Sequence, residues 1–175
     1  MLVIARVEVG ELPLRRSVVD LGSLVGILVR GSSAPARIGL RLPAEPLLVN
    51  ADPERIGQVV DNLISNALKY SPGDTPIEVT VEGTADEASV EVRDYGVGLD
   101  PEDIEQLFAK YGRVRDPSTA GIEGVGLGLY LSRLLAESHD GSIGVSSPGR
   151  GNGATFTLRL PRLHASTLVP GDDTA

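Results

Sequence analysis

The sequence predicts an α+β fold, a two-layer sandwich in which helices cover one face of a mixed, mostly antiparallel sheet. Apolar and polar residues alternate in two pairs of short runs, each pair joined by a turn-rich stretch, as hairpins do. Between these pairs lie stretches whose apolar residues recur every three or four positions, as on one face of a helix. With 175 residues, 41% hydrophobic and 23% charged, the chain is long and apolar enough for one full core.

The elements follow in order. Asp20 caps a helix in which Leu21, Leu24, Val25 and Leu28 share a face. The segment 31–36 reads as a loop. Ile38, Leu40 and Leu42 alternate as in a strand, and a turn at 43–46 leads to a short strand at 47–49. Asp52-Pro53 is a helix start, with a cap and then proline at the first helical position. That helix should run to about Tyr70 and stop at Ser71-Pro72-Gly73. The runs 77–81 and 90–92 form the first hairpin. Pro101 opens a short helix to about Phe108, and 109–123 has no period and reads as a mobile loop. A helix from about 124 to 138 should bury Leu127, Leu131, Leu134 and Leu135. Finally, 142–147 pairs with 154–160 across a turn at 148–153. The tail 163–175 lacks periodicity and reads as loose.

Composition excludes several classes. The net charge of −8 argues against nucleic-acid binding, which needs a basic face. Absence of Cys removes disulfides, zinc–thiolate sites and thiol nucleophiles, and two His are too few for an all-protein transition-metal site. Aromatic content of 3% leaves no stacking platform for single strands. No apolar run reaches the ~20 residues of a membrane helix, and the start lacks a signal-peptide pattern. The expectation is a cytoplasmic chain with no membrane contact of its own.

Three constellations carry chemistry. On a wheel of ~100° per residue, Ile56, Val60, Leu63, Ile64 and Ala67 form the core stripe of helix 52–70. Asn62, Asn66 and Lys69 fall on an adjacent arc, while Glu54, Asp61 and Ser65 lie opposite the core. An amide oxygen is a hard, neutral ligand suited to Mg²⁺ held jointly with phosphates, and a lysine one turn on neutralises phosphate charge. Tyr70, at the core edge, is placed to pack on a flat ring. Read alone, the two Asn also fit an exposed surface.

Second, Asp94-Tyr-Gly96-Val-Gly98 follows a strand. A carboxylate only accepts hydrogen bonds, so Asp94 can select an exocyclic amino group such as that of adenine, with Leu99 closing over the ring. Gly96 and Gly98 allow close backbone approach. Alone, this motif reads more readily as a plain hairpin exit. Third, Gly124-Val-Gly126-Leu127-Gly128 opens a helix, where exposed N–H groups suit phosphate. It is neither a P-loop nor a dinucleotide fingerprint. Lys110, Arg113 and Arg115 precede it and are placed to fold over an anion, although a solvated loop is the simpler reading for Arg115.

Order and spacing add what the single motifs lack. The run from Asp61 to Pro72 resembles the N box of sensor histidine kinases, 94–98 their first glycine box, and Gly124 to Leu129 with Ser132-Arg133 their second. Phe108, Tyr111 and Arg113 are similar to the F box, with Tyr where a second Phe is usual, and 153–161 resembles the last strand. The resemblance covers about 17–161. It implies a Bergerat-type ATP-binding domain over 15–162, with ATP and Mg²⁺ as ligands. Asn66 would hold Mg²⁺. Asn62, Lys69, Arg113 and the backbone at Gly124, Gly126, Leu127 and Gly128 would serve the phosphates. Tyr70, Asp94, Gly96, Gly98 and Leu99 would serve the adenine end.

Residues 1–14 resemble the end of a dimerisation helix and its exit. No acceptor His stands in a fitting context, since His139 sits at a helix end, so the chain reads as a fragment. The partners implied are ATP, a His-bearing dimerisation domain forming a homodimer, and a response regulator. The hydrolysing members of the superfamily carry Glu at the position of Asn62, as a general base. An amide cannot take that proton, which favours transfer to a His over hydrolysis. The alternatives are an ATP-hydrolysing clamp and a nucleotide-gated interaction module.

Overall fold

The computed structural model describes residues 13–112 and 126–164. Most of the expected dimerisation-helix end at 1–14, the bulk of the 109–123 loop with Arg113 and Arg115, Gly124 before the last helix, and the tail from 165 lie outside the described residues.

Strand β1 (Ser17–Asp20) leads into α1 (Leu21–Gly31), where the Asp20 carboxylate accepts the Gly22 amide at 3.3 Å. A 3-10 turn at Pro35–Arg37 precedes β2 (Ile38–Arg41), and β3 (Leu48–Ala51) follows. Helix α2 (Pro53–Tyr70) is next, then β4 (Ile77–Gly83), β5 (Glu87–Arg93), α3 (Pro101–Leu107), α4 (Gly128–Glu137), β6 (Ser142–Ser146) and β7 (Thr155–Pro161). The main sheet has five strands in the order β2-β4-β5-β7-β6, parallel only between β2 and β4. The mixed, mostly antiparallel sheet and the helices over it agree with the fold class read from the sequence.

Strand β1 was not anticipated. It pairs antiparallel with β3 as a separate two-stranded ribbon, while β2 goes to the edge of the main sheet. Four residues, Ser-Val-Val-Asp, show no alternation, and strand partners are chosen by packing far along the chain.

Helix α2 forms as its sequence dictates. Asp52 accepts the amides of Glu54 and Arg55 at 3.1 and 3.2 Å. Ile56, Val59, Val60, Leu63, Ile64 and Ala67 are buried in one core with Val79, Val90, Val92 and Leu158. Burying a Leu or Ile contributes about 1.5–3 kcal/mol, so this stripe outweighs the poor helix propensity of two Asn.

Helix α4 begins at Gly128, not near 124, because Gly126 has φ +72, outside the helical region. Its fully buried face is Ser132, Leu135 and Ala136, whereas the expected Leu127, Leu131 and Leu134 are half-buried. The register is set by the groove between α2 and β6 that α4 packs into.

His139, buried just past α4, joins two helix ends. Its Nε2 accepts the Asp52 amide at 3.1 Å, and Nδ1 lies 2.7 Å from the Leu135 carbonyl. A backbone N–H can only donate, so the ring proton sits on Nδ1 and is donated to Leu135. Beside it the Arg15 amide donates to Asp52 at 2.9 Å, and Arg16 reaches Asp140 at 2.8 Å and the Ser138 carbonyl at 2.6 Å. The chain therefore enters the domain tied to the start of α2 and the end of α4. Among the described residues, no helix is long and apolar enough to cross a membrane.

Candidate functional site

Where α2, the β5–α3 loop and the start of α4 meet over β7 lies a cavity of about 330 Å³. Helix α2 contributes Asn62, Ser65, Asn66, Lys69 and Tyr70, and the loop contributes Asp94, Val97, Gly98 and Leu99. Gly126, Leu127, Gly128 and Leu129 line it from the start of α4, Ala154 and Phe156 from β7. The three constellations, up to 66 residues apart between Asn62 and Gly128, thus share one space.

One departure is Gly96, which does not line the cavity. It lets the loop fold: its amide donates to Asp94 Oδ1 at 2.8 Å, and a Cβ there would strike the Tyr70 carbonyl. The Val97 amide reaches that same carbonyl at 3.4 Å. The loop is thereby laid on the end of α2, which brings Asp94 beside the Asn arc. A second departure is Ser65, exposed as expected yet at the cavity's edge. Arg113 and Gly124 lie outside the described residues.

A buttress was missed in the sequence. Gly98, with φ +65, packs so closely on the 148–153 turn that a Cβ would strike the Gly149 carbonyl. The Gly151 amide donates to Val97 at 2.7 Å, Gly153 to Gly96 at 3.1 Å, and Leu99 to Ser147 Oγ at 3.0 Å. Arg150 of that turn pairs with Asp100 at 3.0 Å and Asp103 at 2.5 Å, at the start of α3. The only advance signal was the density of glycines at 149, 151 and 153.

Asp94 is 5% exposed. Burial pushes its carboxyl above the ordinary carboxylate pKa, and the Gly96 and Ala154 amides and Ser71 only partly offset this. Ser71 Oγ is buried nearby and has no hydrogen-bond partner among the described residues. The Gly96 bond to Oδ1 is the carboxylate's one hydrogen bond among the described residues, with the Ala154 amide near but not bonded to it, which leaves Oδ2 for a ligand. At the opposite end of the cavity, Asn62 Nδ2 donates to Ser132 Oγ at 3.0 Å. Lys69 Nζ stands 5.6 Å from the Tyr70 ring centre. The arrangement joins an acceptor in an apolar corner, suited to a flat base, to amides, an ammonium and a helix start, suited to phosphates. The Tyr111 amide donates to the Gly126 carbonyl at 3.1 Å, which joins the end of the α3 segment to the start of α4.

Comparison with known proteins follows the same geometry. Residues 51–164 match the family described as histidine kinase-, DNA gyrase B-, and HSP90-like ATPase. The sensor histidine kinase WalK of Bacillus subtilis is 38% identical over 120 residues, covering 67% of this chain and 20% of WalK. The sensor protein SrrB of Staphylococcus aureus is 39% identical over 112 residues, 63% of this chain and 19% of SrrB. The chain thus spans about a fifth of the length of these relatives. In fold it is similar to full-length ShkA in complex with AMPPNP (TM-score 0.76, 24% identity, 94% of this chain and 35% of that one). It is also similar to the mycobacterial sensor histidine kinase MprB (TM-score 0.70, 22% identity, 84% and 97%).

Proposed function

The chain belongs to the histidine kinase-, DNA gyrase B- and HSP90-like ATPase family and carries the ATP-binding catalytic domain of sensor histidine kinases, and from that premise we propose that it delivers the ATP γ-phosphate to a His on a separate dimerisation domain. A response regulator would receive the phosphate next. The observation that supports this reading is the convergence of Asp94, Asn66 and the start of α4 on one cavity.

In this reading Asp94 Oδ2 accepts the adenine amino group, with Tyr70 and Leu99 flanking the ring. Asn62, Lys69 and the backbone at Gly126, Leu127 and Gly128 serve the phosphates. Arg113 and Gly124 belong to the same proposal through their place in the motifs. The Asn66 amide borders the cavity and has no protein hydrogen-bond partner among the described residues, so its oxygen is available to a hard cation. No cluster of three His, Cys, Asp or Glu among the described residues could hold a metal ion by itself, so the phosphates must supply most of its charge. Mg²⁺, held by Asn66 and the phosphates, would neutralise charge on the transferring group.

Transfer then rests on positioning and charge neutralisation. Asp94 is the only carboxylate among the described residues lining the cavity, and it stands at the base end. Asp61 and Glu54 are exposed and border no part of it. This disfavours an ATP-hydrolysing clamp, which needs a base for water. A neutral imidazole needs no such base.

The test is incubation with radiolabelled ATP, with and without a His-bearing dimerisation domain. Acid-labile label on protein only in the mixture is expected. Phosphate release by the chain alone would overturn the reading in favour of a clamp. Asn66→Ala should abolish the Mg²⁺-dependent part of ATP affinity in calorimetry, and an unchanged affinity would remove Asn66 from the metal site.

A further inference from the structure

Ser132 is a buried hydroxyl on a face it shares with Leu135 and Ala136. A polar group in such a place costs stability unless it is bonded. Its partner is Asn62, whose Nδ2 lies 3.0 Å from Ser132 Oγ. Deepening the reading above, and resting on it for the identity of the ligand, we propose that Ser132 is a positioning residue: it holds the Asn62 amide with Oδ1 turned toward the start of α4, at the phosphate end of the cavity.

Two observations set this orientation. A Cβ on Gly128 would lie 2.6 Å from Asn62 Oδ1 and 3.3 Å from Nδ2, so the amide lies against the first residue of α4 with its oxygen foremost. A side chain at 128 would push the Asn62 amide out of this place. Further, the first amides of a helix are donors without intrahelical partners, at the positive end of its dipole. An oxygen facing them is attracted, whereas the amide NH₂ would set donor against donor. Ser132 bonds the amide on the other side, and because a hydroxyl accepts or donates equally well, it is the helix start that selects NH₂ for that bond while Ser132 holds the amide in place. Asn62 therefore offers the phosphate end an acceptor. An acceptor repels bare phosphate oxygen and suits water or a hydrated divalent cation that travels with the phosphates. Ser132 itself does not line the cavity and acts only through Asn62.

The experiment compares wild type, Ser132→Ala, Asn62→Ala and the double variant. Calorimetry is run with ATP plus Mg²⁺, ATP plus EDTA, and adenosine. Side-chain NH₂ signals of Asn62 are followed by ¹⁵N NMR without ligand. Ser132→Ala should weaken ATP·Mg²⁺ binding about five- to tenfold, the scale of one lost hydrogen bond, and leave adenosine affinity unchanged. In the Asn62→Ala background the same change should have no further effect. The Asn62 NH₂ pair should move in Ser132→Ala, and Ser132→Thr, which keeps the hydroxyl, should restore it. An undiminished effect in the Asn62→Ala background, or an equal loss of adenosine affinity, would overturn the proposal. So would unmoved Asn62 NH₂ signals. Should the wild type bind no ATP, the nucleotide reading fails, and the ligand-free NMR comparison still decides whether Ser132 orients Asn62. If Ser132→Ala does not fold, the Ser132→Thr spectrum decides: Asn62 NH₂ signals kept at the wild-type position support the proposal, and free-amide positions overturn it.

Discussion

Replacing Asp94 by Asn separates the carboxylate's binding role from its cost to the fold. Asp94 Oδ1 is held by the Gly96 amide at 2.8 Å, which leaves Oδ2 for the ligand. In Asp94→Asn one of those two places must become NH₂. If the amide keeps its oxygen toward Gly96, NH₂ faces the adenine amino group; if it flips, NH₂ faces the Gly96 N–H. Either way one acceptor is lost and a donor meets a donor. A hydrogen bond to a charged group contributes about 1.5–3 kcal/mol, so ATP affinity should fall by about 10- to 150-fold. Stability should move the other way. Burial raises the Asp94 pKa above the ordinary 3.8, so the folded state binds the proton more tightly than the unfolded chain does. Its charged form therefore costs stability, fully above the raised pKa and not at all below the ordinary value. Asparagine carries no such cost. At pH 7 Asp94→Asn should melt above the wild type, and the gap should close as pH falls through the raised pKa. Calorimetric titration with ATP and paired melting curves at several pH values read both effects. ATP affinity within twofold of wild type would refute the acceptor role. A variant less stable than wild type at pH 7 would refute the dominance of desolvation.

Other substitutions probe the supports of the site. Gly98→Ala places a methyl group at φ +65 against the Gly149 carbonyl, and should cost upwards of about 2 kcal/mol in urea unfolding with an unchanged slope. His139→Leu keeps the volume but leaves the buried Asp52 amide without its acceptor, an expected loss of about 1–3 kcal/mol; a loss below about 0.5 would show that the bond does not matter. Leu135→Ala empties a fully buried position on α4 and should cost about 2–5 kcal/mol by the same denaturation measurement. Arg16→Ala, in contrast, breaks a partly exposed pair with Asp140 and should shift stability by no more than about 1 kcal/mol.

Legibility in the sequence tracked the range of the physics. Helix α2 could be delimited closely because its signals are adjacent: the Asp52 cap, Pro53, a repeating stripe, then Ser71-Pro72. The arc holding Asn62, Asn66 and Lys69 followed from helix geometry alone, and all three border the cavity. Helix α4 was less readable, since glycines at 126 and 128 look alike in a sequence while only Gly126 adopts φ +72. Strand β1 carried no alternation to detect. Ser132 looked like one more residue of a helical run, and nothing local linked it to Asn62, 70 residues away.

Motif order, charge and periodicity by themselves determined the class of fold, the helix and strand periods and the residue types offered to a nucleotide. These depend on neighbours within a turn or two of the chain, so they are written locally. Only the tertiary structure decided that β1 leaves the main sheet for β3 and that the glycine-rich 148–153 turn braces the Asp94 loop. The same holds for His139 joining two helix ends and for the hydrogen bond that ties Asn62 to Ser132. Each of these is a contact between distant segments, and its geometry exists only once the core has brought them together.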